Sequence, residues 1–338
     1  MGAHVSGRDL EGRVVVITGA SAGVGRAAAL EFAARGAHVG LLARDPQGLQ
    51  ETLAQIHLRG GVAHAESVDV ADARAVMDAA AACEQALGPI SVWVNNAMAT
   101  VFSKVDGLSA EEIDRVTRVT YLGSVHGTLA ALASMRRQGK GTIIQISSGL
   151  AYRAIPLQAA YSAAKHAARG FHEALRCELI ADGSAIQLCS VVLPAMNTPQ
   201  FGWARTHCER TPRPVAPVYE PQAAAHAIVQ AALRPEREIF VGYQAPLLVM
   251  GQALAPGLMD RYLARNAIEG QCAHKPVDPA RQDNLFETVP NGHATRGEFG
   301  HEARRNAVQL SAGMTRGVGL AGLLAVGAVI GACLAARR

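Results

Sequence analysis

The sequence predicts an α/β fold with a doubly wound parallel sheet, and three observations carry that expectation. Short apolar runs rich in Val, Ile and Leu alternate with longer Ala-rich stretches. That is the pattern of strands buried on both faces and joined by helices. A turn with three glycines in seven residues follows the first apolar run. The intervals between runs also suit right-handed βαβ crossovers, which place a ligand crevice at the carboxyl ends of the strands.

In chain order, strands are expected near 13–18, 37–42, 62–68, 90–95, 141–147, 185–192 and 238–242. Helices are expected near 24–35, 46–58, 71–87, 109–137, 157–181 and 221–233, with a further helical stretch near 246–266. The first strand, Arg13-Val14-Val15-Val16-Ile17-Thr18, runs into Gly19-Ala20-Ser21-Ala22-Gly23-Val24-Gly25 and then a helix. Strand, tight turn and helix N-terminus together offer free N–H groups and the positive end of a helix dipole, a seat for a diphosphate. Gly19, Ser21, Gly23, Val24 and Gly25 are therefore the first cofactor-binding candidates. Their spacing, Thr-Gly-x-x-x-Gly-x-Gly, differs from the Gly-x-Gly-x-x-Gly of the usual Rossmann fingerprint.

The end of the second strand bears on cofactor choice. In a Rossmann fold an acid about 20 residues past the glycines holds the ribose 2′-OH of NAD. Here Ala43 stands at that point and Arg44 follows it. Losing a carboxylate and gaining a guanidinium suits a 2′-phosphate, so NADP(H) is favoured over NAD(H). Asp45, next in line, offers Arg44 a competing partner.

Tyr161 and Lys165 stand four residues apart on an expected helix, and Ser148 lies thirteen residues before the Tyr. Side chains at i and i+4 share a face, so phenol and ammonium can converge. A free phenol has a pKa of about 10, too high for proton transfer at neutral pH. An adjacent cation favours the phenolate, and a fall to 7 needs about 4 kcal/mol. The spacing alone is a weak signal; the dinucleotide fold around it gives it weight.

In this order the motifs make the chain resemble a short-chain dehydrogenase/reductase from about Gly12 to Tyr243. The matching segments are Thr18 to Gly25, Asp69, Asn95-Asn96-Ala97, Ser148, Tyr161 to Lys165, and Pro194 with Thr198. The resemblance implies that Tyr161 gives a proton to a carbonyl oxygen or takes it from an alcohol. It further implies that Lys165 lowers the phenol pKa and holds the nicotinamide ribose, while Ser148 donates to the same substrate oxygen. Asp69 and Val70 would border the adenine, Asn96 and Ala97 the cofactor, and Thr198 the nicotinamide carboxamide. Three positions depart from the family pattern. Met98 stands where the family has Gly, Ala195 breaks its Pro-Gly pair, and Thr120 replaces the catalytic Asn, which makes Thr120 a weak catalytic candidate.

Composition excludes other classes. Net charge is only +4 and aromatics are 4%, with no basic block interleaved with aromatics, so no nucleic-acid surface is expected. Six cysteines and twelve histidines show no metal-ligand spacing, so no metal is expected and the cysteines read as reduced in a cytoplasmic domain. No secretory leader is visible. Met1-Gly2-Ala3-His4-Val5-Ser6 fits a myristoylation pattern, but the Ala/Arg/Gly-rich composition argues against that modification.

Residues 1–274 are read as the catalytic domain and 275–316, rich in Pro, Gly, Asn, Arg and Asp, as an exposed flexible linker. Gly317 to Ala336 is a run of twenty uncharged residues, long enough at 1.5 Å per residue to span a bilayer core of roughly 30 Å. It is read as an apolar helix, transmembrane or membrane-associated, although six Ala and five Gly make its insertion drive modest. The loop from Pro194 to Tyr219 carries Phe201, Trp203, Pro212, Pro214 and Pro217, suited either to a lipophilic substrate or to loop stiffening. The expected activity is NADP(H)-dependent interconversion of a carbonyl and an alcohol on a small lipophilic substrate. The rival is a nucleotide-binding sensor or scaffold without turnover, motivated by Thr120, Met98 and Ala195. A homo-oligomer is compatible with either.

Overall fold

The computed structural model describes residues 8–290 and 292–311. In the main sheet seven of the described strands run parallel: β1 (Val14–Thr18), β2 (His38–Ala43), β3 (Val62–Ser67), β4 (Ile90–Asn95), β5 (Lys140–Ser148), β6 (Ala185–Leu193) and β7 (Glu238–Val241). A short β8 (Gln309–Ser311) adds antiparallel to β7, giving the order β8-β7-β6-β5-β4-β1-β2-β3. The order reverses between β1 and β4, the switch point where such sheets open a crevice.

Period-two alternation sorts β1 between two cores. Val15 and Ile17 join the cluster that holds α1 (Gly23–Ala34), α2 (Pro46–Leu58) and α7 (Pro221–Leu233). Val14 and Val16 join the cluster of α3 (Ala73–Leu87), α4 (Ala110–Thr117), α5 (Gly123–Gln138) and α6 (Ala159–Ala181). Phe32 of α1 is fully buried, worth about 2–3 kcal/mol of transfer free energy. Helix ends follow local chemistry. Asp45 caps α2 by accepting from Gly48 N–H, with Pro46 at the first helical position. Ser109 and Glu112 form a capping box on α4.

Three sequence expectations change. The helix expected over 109–137 is two helices joined by a π-helical turn, Arg118–Leu122. The stretch near 246–266 divides into α8 (Gln244–Leu254) and α9 (Pro256–Gly270), because Pro256 lacks the N–H needed to continue the helix. The third change is larger. The described residues of 277–308 carry no helix or strand and many are exposed, as their composition predicts, yet the segment is fastened to the domain. Leu285 is fully buried in the cluster that includes Val68, Val70 and Val119. Val308 O accepts from Gly242 N–H at 2.7 Å, leading into β8. Polar composition concealed a few apolar anchors and a set of backbone carbonyls that arginines of the domain reach. The expected apolar helix at 317–336 lies outside the described residues. Among the described residues no helix is long and apolar enough to cross a membrane.

Candidate active site

The carboxyl ends of β1 to β6 open onto one cleft of about 570 Å³. Its floor is the glycine turn after β1. Gly19 has φ +69°, and a Cβ on Gly25 would lie 2.1 Å from Gly19 O, so neither position accepts a side chain cheaply. Thr18 Oγ1 accepts from Asn96 N–H at 2.9 Å and Ala97 N–H at 3.1 Å. Asn96 Nδ2 in turn donates to Thr18 O and Gly19 O at 2.9 and 3.2 Å. Asn96 and Ala97 therefore line the cleft and also brace the turn. Asn95 is buried and faces α5, donating to Thr128 Oγ1 at 2.9 Å.

The turn suits a diphosphate. The Arg26 N–H bonds back to Ala22 O, which places the Val24 and Gly25 N–H groups ahead of the helix ladder. No acidic residue stands in the first turn of α1 to repel an anion. Ser21, Gly23 and Val24 line the cleft with Val70 and Thr198. Thr198 closes on Gly23, where an added Cβ would sit 3.1 Å from its Cγ2. Asp69 accepts from Ala71 N–H at 3.0 Å and pairs with Arg115 at 2.5 Å.

Arg44 lines the cleft as expected, but its terminal nitrogens already have partners. They donate to Asn284 O at 2.5 Å, Phe286 O at 3.1 Å and Leu285 O at 3.3 Å. Asp45 does not compete for it. That carboxylate caps α2 and meets His293 Nε2 at 3.3 Å.

Ser148 ends β5 while Tyr161 and Lys165 lie one turn apart on α6, and all three line the cleft. Burial pushes the Tyr161 phenol up, and the hydrogen bond from Ser148 pulls the other way. Lys165 is buried, which lowers its pKa to about 8. Its Nζ donates to Ile146 O at 2.7 Å and sits 5.6 Å from the Tyr161 ring centroid. The expected acidification of the phenol by the ammonium is thus not the dominant influence here; desolvation of both groups is. An oxygen placed between Ser148 and Tyr161 would meet two hydroxyl donors.

Thr120 does not line this cleft. Buried in the π-helical turn, its hydroxyl accepts from Ala99 N–H and donates to Ala99 O, both at 2.9 Å. It ties the turn between α4 and α5 to the loop after β4, and Val119 beside it lines the cavity instead. Met98 and Ala195 do line the cleft.

On the substrate side, Leu150, Ile155, Val215, Leu248 and Leu263 make an apolar wall, with contributions from α8 and α9. The arginines of the loop before it are anchors. Arg205 pairs with Asp283 at 2.9 Å, Arg210 with Glu269 at 2.6 Å and Arg213 with Glu302 at 2.6 Å. Phe201 packs between Phe102 and Phe299 and supports the loop from within. Sequence reasoning missed the cleft residues of 284–293, whose only signal was Leu285, Phe286 and Val289 within a polar run.

Comparison with known proteins agrees with this geometry. The model of the short chain dehydrogenase family matches residues 13–208. An uncharacterized oxidoreductase of Bacillus subtilis, YxnA, is 30% identical over 83% of this chain and 79% of its own length. The rat 17-beta-hydroxysteroid dehydrogenase 13 is 32% identical over 69% of this chain and 76% of its own. Among solved structures, an alcohol dehydrogenase from Thermococcus sibiricus complexed with 5-hydroxy-NADP aligns with a TM-score of 0.59 and 26% identity. That alignment covers 68% of this chain and 95% of the other. With the glycine turn, the Ser148–Tyr161–Lys165 constellation and these likenesses together, the chain belongs to the short-chain dehydrogenase family, an oxidoreductase that uses a nicotinamide cofactor.

Proposed function

We propose that the protein interconverts a carbonyl and an alcohol on a lipophilic substrate with NADP(H), Tyr161 acting as general acid/base. The observation that carries this is the meeting of Ser148, Tyr161 and Lys165 at the junction of the glycine-turn half of the cleft and its apolar half. When bound, the nicotinamide supplies or takes up the hydride. The turn at Gly19 to Gly25 would hold the diphosphate, and Thr198 and Lys165 the nicotinamide end. In reduction the Tyr161 hydroxyl gives its proton to the substrate oxygen as the carbonyl carbon gains hydride. Ser148 donates to that oxygen as charge develops on it. The phenolate left behind is stabilised by protonated Lys165 and regains its proton from solvent.

Ala43 in place of an acid, and Arg44 beside it, support NADP(H) over NAD(H), as does the NADP analogue in the Thermococcus sibiricus structure. A 2′-phosphate would share Arg44 with the carbonyls it now holds. The apolar wall supports a lipophilic substrate, and Leu247, Leu254 and Leu258 are exposed on the helices that form the mouth. The apolar run 317–336 is taken to associate the domain with a membrane, on its length and lack of charge. The reading as a sensor without turnover is not favoured, since Thr120 is tied to Ala99 while the catalytic trio is assembled.

A series of methyl ketones of increasing chain length, each reduced with NADPH and with NADH, tests the proposal. The expected result is a kcat/KM that rises about two- to fourfold per added methylene and a preference for NADPH. Preference for short polar ketones, or equal use of both cofactors, would contradict it.

A further inference from the structure

Residues 283–290 and 292–297 cross the cofactor cleft as a strap, and its underside belongs to the cleft. Asn284, Thr288, Val289 and His293 line the same cavity as Ser21 and Tyr161. The strap is fastened at three points. Beside β2 and β3, Arg44 holds the carbonyls of Asn284, Leu285 and Phe286, and Arg115 Nε donates to Leu285 O at 2.9 Å. At the glycine turn, Gly23 N–H donates to Ala294 O at 2.9 Å and Arg26 donates to His293 O at 2.6 Å. Beside Thr198, Gly297 N–H donates to Asn197 O at 3.1 Å. His293 adds a side-chain link, its ring tilted against Trp203 with centroids 5.3 Å apart and its Nε2 meeting Asp45. Its Nδ1 is buried without a partner among the described residues, facing Gly48 of α2.

We infer that this strap is the second wall of the cofactor site: it covers the adenosine and diphosphate portions of the bound nucleotide, which exchanges only when the strap lifts. A plug that competed with the nucleotide would fill the cleft. Instead the cavity persists beneath the seated strap and runs from Arg44 to Tyr161, while the anchoring Leu285 is buried outside its lining. Covering a diphosphate on both sides excludes water from its hydrogen bonds, and affinity gained this way shows chiefly in the dissociation rate. The inference rests on the nicotinamide cofactor and not on the choice of substrate.

The test uses the full chain as wild type, Leu285→Ala and Gly297→Ala. The first removes a buried anchor. The second places a Cβ 2.5 Å from Thr198 O and unseats the strap at its third fastening, beside a cleft residue, so the two variants are read together. Dissociation of NADPH and of NADH is followed by stopped-flow fluorescence, and wild-type proteolysis within 278–297 is compared with and without NADPH. Both variants should release cofactor about tenfold faster or more, and bound cofactor should protect the wild-type segment. Unchanged dissociation rates, or cleavage indifferent to cofactor, would overturn the strap. Tighter binding in the variants would overturn it too, marking the segment as a competitor. A wild-type chain that binds neither nucleotide would instead remove the cofactor assignment on which the inference stands.

Discussion

Replacing Tyr161 with Phe should lower kcat by about 10³-fold while cofactor affinity stays within a few-fold of wild type. The substitution removes one hydroxyl and keeps the ring, which packs partly buried against the α6 core. Lys165 keeps its bond to Ile146 O, so the nicotinamide end of the site retains its ammonium. What disappears is the proton partner of the substrate oxygen and the group that Ser148 touches. Loss of kcat and kcat/KM together, with unaltered cofactor binding, is the signature of an interaction made in the transition state. Steady-state kinetics with cofactor titration checks both halves. A variant retaining a tenth or more of wild-type kcat would assign the proton to another group.

The second large effect is expected at the glycine turn. In Gly25→Ala the new methyl would lie 2.1 Å from Gly19 O and 2.6 Å from Asn96 Nδ2. Both neighbours are fixed, because Asn96 Nδ2 already bonds to the carbonyls of Thr18 and Gly19. The turn must open, costing about 3 kcal/mol of stability by overpacking and displacing the donors offered to the diphosphate. Cofactor affinity should fall more than about a hundredfold, with a lower thermal midpoint. Calorimetry and thermal melts read these separately. Wild-type affinity in a folded Gly25→Ala protein would mean that the turn is not where the diphosphate binds.

Much of this was legible in the sequence because it depends on local pattern. β1 and the turn after it follow from the β-branched run Val14 to Thr18 and the glycine spacing. Tyr161 and Lys165 share a helix, so their separation alone places them together. Ser148 could be found because it ends a strand whose apolar run precedes it. The parts that stayed hidden depend on contacts between distant residues. Nothing local announces that Arg44 will meet carbonyls some 240 residues later, or that Leu285 will bury itself beside Val68 and Val70. Position alone makes Thr120 a catalytic candidate. Its hydroxyl is consumed by Ala99, a partner fixed by the π-helical turn that no propensity foretold. Aromatic residues in the loop before α7 were legible as apolar but not by role: both Phe201 and Trp203 line the cleft, and Phe201 also packs between Phe102 and Phe299.

At the centre of the account is the Tyr161 proton. Burial alone holds this phenol up, so catalysis near neutral pH requires the bound oxidised nicotinamide and charged Lys165 to bring it down. Binding that lowers a pKa must release protons, so NADP affinity should rise with pH across the range between the free and bound values. The direct measurement is an ultraviolet titration of phenolate in the NADP-bound protein, taken as the difference between wild type and Tyr161→Phe. The account predicts a midpoint well below the value of about 10 for a free phenol. A midpoint at or above that value, with cofactor bound, would contradict it.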